Sequence, residues 1–179
     1  LSYKLKGIQL IMRQAVYEAS KQVSNFLVAR QSGKSYTMCC IGTEYCVKNP
    51  NVTVVLLFPK KKDAAGVARD HMRKILEDCP PHLKPEYMVA DKMFVFPNGS
   101  KILMAGTDGG SAESIRGKTV HLILMDEAGF HDYNDFQYIV TSILFPTMTT
   151  TDGRIIMAST PSKQIDHPYM TNYVEPMRA

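Results

Sequence analysis

The chain has 179 residues, of which 45% are hydrophobic and 21% are charged, a composition typical of an ordinary globular protein. This length matches one domain, since domains commonly run to roughly 100–200 residues, and it excludes a complete multidomain machine. With 21 Lys and Arg residues against 17 Asp and Glu residues, the formal net charge is +4. That mild excess permits a phosphate-bearing partner but does not require one.

No apolar run approaches the roughly 20 residues that a membrane-spanning helix needs, so we expect no membrane partner. The first residues carry no signal-peptide core and no initiator Met, and we therefore expect the chain to be cut from a larger protein. The cysteines form no Cys-x-x-Cys pair and no zinc-finger spacing, which favours reduced, mostly buried thiols over a metal site. They are Cys39, Cys40, Cys46 and Cys79.

Helical and extended patterns alternate along the chain. Apolar residues spaced by three and four from Ile8 to Val23 predict a helix, and the apolar run Val52–Phe58 predicts a strand buried on both faces. Asn98 and Gly99 between two apolar runs predict a β-hairpin near 93–106. This alternation predicts an α/β fold with a mainly parallel central sheet flanked by helices and right-handed crossovers. Further strands are predicted at Phe26–Ala29, Val120–Met125 and Arg154–Ala158, and further helices at Lys34–Val47, Ala64–Glu77 (with Asp63 as N-cap) and Tyr133–Leu144.

The most specific motif is Arg30–Ser35, which lies between a predicted strand and a predicted helix. Gly33 lets the backbone N–H groups face phosphate oxygens at the helix N-terminus, Lys34 reaches the outer phosphates, and Ser35 offers its hydroxyl to Mg²⁺. The strict pattern has a glycine where this chain has Val28, and the alternative interpretation is a chance Gly-Lys-Ser at a helix start. The predicted ATP-binding residues are Arg30, Gln31, Ser32, Gly33, Lys34 and Ser35.

A second motif is the apolar run Leu122–Met125 followed by Asp126 and Glu127. Both acids are expected at the carboxyl end of the sheet, beside the phosphate loop. There Asp126 can hold Mg²⁺, partly through water, and Glu127 can polarise a water for in-line attack on the γ-phosphate. Alone, such a run is more often a strand that meets solvent. Together with the loop, it predicts a nucleoside triphosphatase.

Two arginines are candidates for stabilising the transferred phosphoryl group. Arg30 lies inside the loop and can act in cis, whereas Arg116 can project from its loop toward a neighbouring subunit's nucleotide. The alternatives are a structural salt bridge for Arg30 and a solvated surface residue for Arg116. The stretch around Arg116, Gly106–Lys118, carries four glycines and is expected to be a mobile loop, although Ser111–Ile115 can form one helical turn.

Three further features are open to a functional and a structural interpretation. Ser159 and Thr160 follow the last strand and can hydrogen-bond toward the catalytic acid or the γ-phosphate, or can simply end a strand at a proline turn. Gln9, with Gln14 as a rival, can present its amide to an adenine edge, although a lone helical Gln is usually solvated. A basic region can contact DNA phosphates, although such runs are more often solvated faces. It comprises Lys60, Lys61, Lys62, Arg69, Arg73 and Lys74, and no role is assigned to the histidines.

Three segments resemble motifs of a known family. Arg30–Ser35, Leu122–Ala128 and Ala158–Pro161 are similar in order and spacing to the ATPase domain of the large terminase subunit of tailed bacteriophages. The resemblance covers nearly the whole chain and implies a P-loop NTPase fold of the ASCE/RecA-like type. In that family the loop binds ATP and Mg²⁺, the acidic pair binds metal and activates water, and the hydroxyl motif couples hydrolysis to movement. These roles carry over to Lys34, Ser35, Asp126, Glu127, Ser159 and Thr160.

The same resemblance assigns the adenine contact and the arginine finger. The family has an adenine-contacting glutamine upstream of the loop, which Gln9 matches best. Its arginine finger is the loop arginine in some members, matching Arg30, and in others an arginine like Arg116 that acts across a ring of subunits.

As a function, the resemblance implies a Mg²⁺-dependent ATPase that drives double-stranded DNA into a procapsid. The implied partners are DNA, other copies of the chain in a ring, the portal protein and the small terminase subunit. The implied location is the cytoplasm of the infected bacterial host and, transiently, the portal vertex. We expect residues 1–179 to form a single ATPase domain without the family's carboxyl-terminal nuclease domain, and so no nuclease activity.

Two alternatives stay open on the sequence alone. Asp126–Ala128 and Ser159–Pro161 also resemble motifs in the first motor domain of a helicase-like translocase. A different class of function is a non-hydrolysing, nucleotide-dependent assembly module, for which a water-activating acid at Glu127 would be unnecessary.

Overall fold

A seven-stranded sheet organises the chain in a computed structural model that describes residues 1–18, 20–162 and 164–177. The strands are β1 (Val23–Leu27), β2 (Thr53–Phe58), β3 (Glu86–Met88), β4 (Met93–Val95), β5 (Lys101–Gly106), β6 (Leu122–Asp126) and β7 (Arg154–Ser159). Their order in the sheet is β1-β7-β6-β2-β5-β4-β3. The first five strands of this order pair in parallel, whereas β4 pairs antiparallel with both β5 and β3. The predicted α/β fold and the hairpin near 93–106 are therefore confirmed.

Helices cover both faces of this sheet. Two are regular α-helices, α1 (Ile8–Glu18) and α2 (Lys34–Lys48). Two more each contain a wide π turn between α-helical pieces. They are α3 (Lys61–Asp63, Ala64–Ala68 and Arg69–Ile75) and α4 (Phe136–Tyr138, Ile139–Leu144 and Phe145–Met148). Short helical turns occupy Ser2–Lys4, Asp108–Ile115, Ala128–Phe130, Met170–Val174 and Glu175–Met177.

Strand β2 shows why its sequence is a continuous apolar run. Val54 and Leu56 pack into the hydrophobic cluster on the α2 and α3 side, whereas Val55 and Leu57 pack into the cluster on the α4 side. Alternating side chains of one strand thus enter two separate cores, as expected for a parallel strand covered on both faces. The sheet is therefore held rigidly at its centre.

The start of α3 differs from the prediction. The helix begins at Lys61, with Lys60 in extended conformation at the N-cap position, so Asp63 lies inside the helix and is not its cap. The cap comes from another part of the chain, because the Lys61 N–H donates to Asp108 Oδ1 at 2.7 Å. Asp108 opens the helical turn Asp108–Ile115, which includes the turn allowed at Ser111–Ile115 and lies in the stretch that the sequence predicted mainly as a mobile loop.

The sheet order positions the functional segments. Strands β1, β7 and β6 are parallel, so their carboxyl ends meet at one edge of the sheet, with β7 between the other two.

Helix α1 is tied to α2 by the ion pair of Arg13 with buried Glu44, at 2.5 Å, which lowers the pKa of Glu44 to about 2. No helix in the described ranges has the length and apolar character of a membrane span.

Replacement of Gly106 by alanine is expected to destabilise the fold. A Cβ atom there would lie 2.3 Å from the Lys61 backbone nitrogen, so β5 and α3 would have to separate. We expect Gly106→Ala to lower the free energy of unfolding by about 1–3 kcal/mol, measured by urea denaturation. The control is Gly66→Ala in α3, where no atom lies within 4 Å of the new Cβ. It should leave stability unchanged or raise it by up to about 1 kcal/mol, and equal destabilisation by both variants would contradict this account.

Candidate nucleotide-binding site

The loop between β1 and α2 presents hydrogen-bond donors without partners of their own. Gly33 is the N-cap of α2 with a φ of 76°, and no side chain caps the first turn of this helix. The Ser32 hydroxyl is buried and lacks a hydrogen-bond partner among the described residues. Free N–H groups at a helix N-terminus, beside an unpaired hydroxyl, form the arrangement that binds phosphate oxygens.

The loop side chains meet the two acids that follow β6. The Lys34 side chain is 6% exposed, and its Nζ lies 3.0 Å from Oε1 of Glu127. The Ser35 hydroxyl donates to Oδ2 of Asp126. The fold therefore brings together four residues that the sequence predicted for one site. A hydroxyl and a buried carboxylate are oxygen ligands of the kind that Mg²⁺ prefers, so this pair fits the implied ion.

Asp126 and Glu127 have different environments. Burial raises the pKa of Asp126, and the hydrogen bond from Ser35 opposes that rise. Glu127 is one-third exposed, and its backbone is left-handed with a φ of 47°. A left-handed backbone is strained for a residue other than glycine, and here it accompanies a carboxylate that faces the loop.

The end of β7 contacts Glu127 from the other side. The backbone N–H and the hydroxyl of Thr160 both lie 3.2 Å from Oε2 of Glu127, to which they donate. The hydroxyl of Ser159 accepts a hydrogen bond of 3.1 Å from the Gly129 N–H. Ser159 and Thr160 thus contact both Glu127 and the turn that follows it.

These residues line a cleft of about 560 Å³ at the edge of the sheet. Arg30 is exposed on its wall and makes no ion pair or hydrogen bond within the described ranges. The cleft is lined by Arg30, Gln31, Lys34, Ser35, Phe58, Pro59, Lys60, Asp63, Val67, Asp126, Glu127, Phe130 and Thr160.

Gln9 lies behind the loop. Its Nε2 donates to the Ser32 carbonyl at 3.3 Å, and its Oε1 accepts from the Lys6 N–H at 3.0 Å. A Cβ on Gly33 would lie 2.1 Å from this amide, so glycine is needed for the close approach. The rival, Gln14, instead donates to Glu18 within α1. Gln9 therefore supports the loop, and its amide is already bonded on both sides.

Arg116 lies outside the cleft of its own chain. Its guanidinium forms an ion pair of 2.5 Å with Glu113 and donates to the Tyr138 hydroxyl at 2.8 Å and to the Ser142 carbonyl at 3.1 Å. It is therefore an oriented surface arginine on the α4 side of the molecule.

One group in the site was missed by the sequence interpretation. His131 is buried, with Nε2 3.0 Å from the Asp126 carbonyl and Nδ1 2.7 Å from the Thr107 hydroxyl. Its own carbonyl is 3.0 Å from Nε2 of His167, which is fully buried. These contacts link β5, β6 and the segment after β7. No motif could have shown them, because they use backbone carbonyls and residues distant in sequence.

Comparison with known proteins identifies the family of the chain. Residues 25–175 match the family model described as terminase large subunit, T4likevirus-type, N-terminal. The chain belongs to the large terminase subunit family. Comparison with curated protein sequences finds no match.

Solved structures of large terminases share the fold. The ATPase domain of the Thermus phage P74-26 large terminase is 18% identical with a TM-score of 0.66, over 90% of this chain and 67% of that one. The ADP complex of a large terminase from another thermophilic bacteriophage is 13% identical with a TM-score of 0.75, over 97% of this chain. This chain spans only 43% of that second protein. The N-terminal domain of the bacteriophage phi29 DNA packaging ATPase is 16% identical with a TM-score of 0.62, over 90% of this chain and 82% of that one.

The protonation of His131 should appear in the pH dependence of stability. Burial lowers the pKa of His131 to about 4, so between the ordinary pKa near 6.5 and about 4 the unfolded chain binds a proton that the folded chain does not. The free energy of unfolding should therefore fall as the pH falls through this range. His131→Gln should flatten that fall, measured by denaturation at a series of pH values.

The control is His71→Gln, at a half-buried histidine whose pKa is also lowered by burial. This variant should reduce the slope of unfolding free energy against pH by less than His131→Gln does. A slope that His131→Gln leaves unchanged would show that the buried imidazole is not its source.

Proposed function

We propose that this chain hydrolyses ATP to drive translocation of double-stranded DNA into a viral procapsid. The observation that carries the proposal is the convergence of Lys34, Ser35, Asp126 and Glu127 at the edge of a cleft with an uncapped helix N-terminus. Membership of the large terminase family supports the biological role. The thermophilic-phage relative that was solved with ADP and with ATP-gamma-S supports ATP as the nucleotide.

The loop residues bind the triphosphate and Glu127 activates the attacking water. Lys34 and the free N–H groups of α2 neutralise and orient the phosphates. Ser35 and Asp126 would hold Mg²⁺, which when bound neutralises the charge that develops on the phosphates. The Glu127 carboxylate accepts the proton of a water molecule whose oxygen attacks the γ-phosphorus. The bond to the bridging oxygen breaks, and ADP and inorganic phosphate are released.

Hydrolysis requires a change at Glu127. Lys34 and Thr160 together contact both carboxylate oxygens in this structure, which leaves little capacity to polarise water. The phosphates offer Lys34 a more strongly charged partner, so nucleotide binding frees one oxygen of Glu127. Thr160 keeps its hydrogen bond to the other oxygen, so a movement of the Glu127 side chain is transmitted to β7. This is a physical basis for the proposed coupling role of Ser159 and Thr160.

The remaining proposals follow from the family. We propose that the chain acts in a ring of copies, together with the portal protein and the small terminase subunit, in the cytoplasm of the infected host and at the portal vertex. Arg30, on the cleft wall, acts in cis. Arg116, outside its own cleft, acts on the nucleotide of a neighbouring subunit. Gln9, whose amide also supports the loop, contacts the adenine edge of the nucleotide.

Removal of the carboxylate charge of Glu127 tests the catalytic assignment. Glu127→Gln keeps the size of the side chain but loses the base, so turnover should fall at least ~100-fold while ATP binding is retained. The measurements are phosphate release and fluorescent-nucleotide binding. Glu86→Gln, an exposed acid on β3, is the control and should leave both unchanged. Normal turnover of Glu127→Gln would show that Glu127 is not the base, whereas ATP binding without turnover in the wild-type chain would leave nucleotide-dependent assembly as the role of the site.

The roles of Arg30 and Arg116 can be distinguished by comparing monomers, rings and rings of mixed subunits. Arg30→Ala should slow hydrolysis in monomers and rings alike, whereas Arg116→Ala should slow it only in rings. Rings that mix Arg116→Ala with Glu127→Gln subunits should regain part of the activity, because a Glu127→Gln subunit supplies an intact Arg116 to its neighbour. Equal loss in Arg116→Ala monomers, or absence of complementation in mixed rings, would refute action in trans.

A further inference from the structure

A second groove runs along β5 on the α4 side of the sheet. Its floor includes Leu103 and Ala105 of β5, and its walls are the segments 90–93 and 110–119. The volume is about 780 Å³. Of the site residues predicted from the sequence, only Lys61 of the basic region lines it, and we call it the lysine groove after Lys61, Lys92, Lys101 and Lys118.

The charge of the lysine groove is almost wholly positive. Its lining has four lysines and a single acid, Asp91, a net charge of +3. None of the four lysines forms an ion pair with another residue in the described ranges. Hydroxyl groups of Thr53, Ser111 and Thr119 supply further donors, whereas the Ser114 hydroxyl already donates to the Ser111 carbonyl. Unpaired ammonium groups with hydroxyl donors are the chemistry that binds a phosphodiester backbone without reading its sequence.

The dimensions also fit a nucleic-acid strand. Lys101 opens β5, and the backbone of Lys61 lies against Gly106 at the other end of the strand. Five residue steps at about 3.3 Å each separate these ends by about 17 Å. Consecutive phosphates of one duplex strand are further apart along the winding backbone than their ~3.4 Å axial rise, so this length holds a short run of roughly two to three phosphate spacings.

We propose that the lysine groove holds the phosphate backbone of duplex DNA, an inference that rests on the proposed translocase function. The basic region predicted from the sequence is divided by the fold. Lys60 lines the nucleotide cleft, Lys61 lines the lysine groove, and Arg69, Arg73 and Lys74 lie on the opposite, α3 side of the sheet.

The α3 surface is the weaker candidate for DNA because two of its four cations already have partners and it carries two acids. Arg73 pairs with Asp70 at 3.7 Å, and the Arg69 guanidinium lies 4.8 Å above the Tyr87 ring. Glu77 lines the same surface. The charges that DNA phosphates would meet there are therefore partly compensated.

The lysine groove is directly connected to the nucleotide cleft. Lys60 and Lys61 are consecutive residues that line the two sites, and Thr107, at the end of β5, contacts His131 behind Asp126. A shift of β5 or of the start of α3 would move both sites together. Through this connection, a change in the bound nucleotide can change the affinity of the lysine groove for DNA.

The test compares two triple variants that each remove three positive charges. Binding of a fluorescein-labelled duplex of about 20 base pairs to the full chain is followed by fluorescence anisotropy over a range of salt concentrations. Lys92→Ala/Lys101→Ala/Lys118→Ala should weaken binding at least ~10-fold at low salt and reduce the slope of log affinity against log salt by about 2–3. Arg69→Ala/Arg73→Ala/Lys74→Ala is the matched control and should weaken binding less than ~3-fold.

Two more variants keep the outcome interpretable. Lys92→Arg/Lys101→Arg/Lys118→Arg preserves the charge and should bind like the wild type, which separates loss of charge from loss of fold. Glu127→Gln should bind the duplex normally while its phosphate release fails, so the proposed hydrolysis and this inference have separate readouts.

Three results would overturn the inference. One is an equal or larger loss of affinity in the α3 triple variant. Another is a groove variant that binds DNA normally but loses self-association in sedimentation, which would make the lysine groove a contact between copies of the chain. The third is a wild-type chain that does not bind the duplex at low salt.

Discussion

The contact between the Lys34 ammonium and the Glu127 carboxylate is the interaction on which the candidate site depends. It joins the loop after β1 to the end of β6, although these strands are not neighbours in the sheet. The contact is possible because β7 lies between them and places Thr160 against the same carboxylate. One acid is therefore held by the cation that we propose binds phosphate and by the strand end that we propose couples hydrolysis to movement.

In the proposed mechanism, Glu127 has different partners in two states. Without nucleotide, the carboxylate neutralises a nearly buried lysine, whose unpaired charge would be costly at that position. In the proposed nucleotide-bound state, a phosphate replaces the acid as the partner of the lysine, and the acid becomes available to water. Behind the acid, His131 connects Asp126 to β5, and β5 forms the floor of the lysine groove. The catalytic edge and the surface inferred to bind DNA are thus parts of one rigid sheet.

Much of this molecule could be predicted from its sequence because the signals were local. The apolar run at β2, the Asn98–Gly99 turn and the Arg30–Ser35 loop each specify structure within a few residues. The contacts that were missed are tertiary: Asp108 caps α3, and His131 bonds to a carbonyl and to Thr107. The lysine groove is similar, because its four lysines are scattered between Lys61 and Lys118 and only the fold assembles them.

A crystal structure of the assembled chain with Mg²⁺ and a non-hydrolysable ATP analogue tests the central claim most directly. The account predicts that the phosphates lie against the N-terminus of α2 and that Lys34 Nζ leaves Glu127 for a phosphate oxygen, while Thr160 keeps its contact with the acid. An analogue bound elsewhere, or one bound in the cleft with the 3.0 Å contact between Lys34 and Glu127 intact, would contradict it.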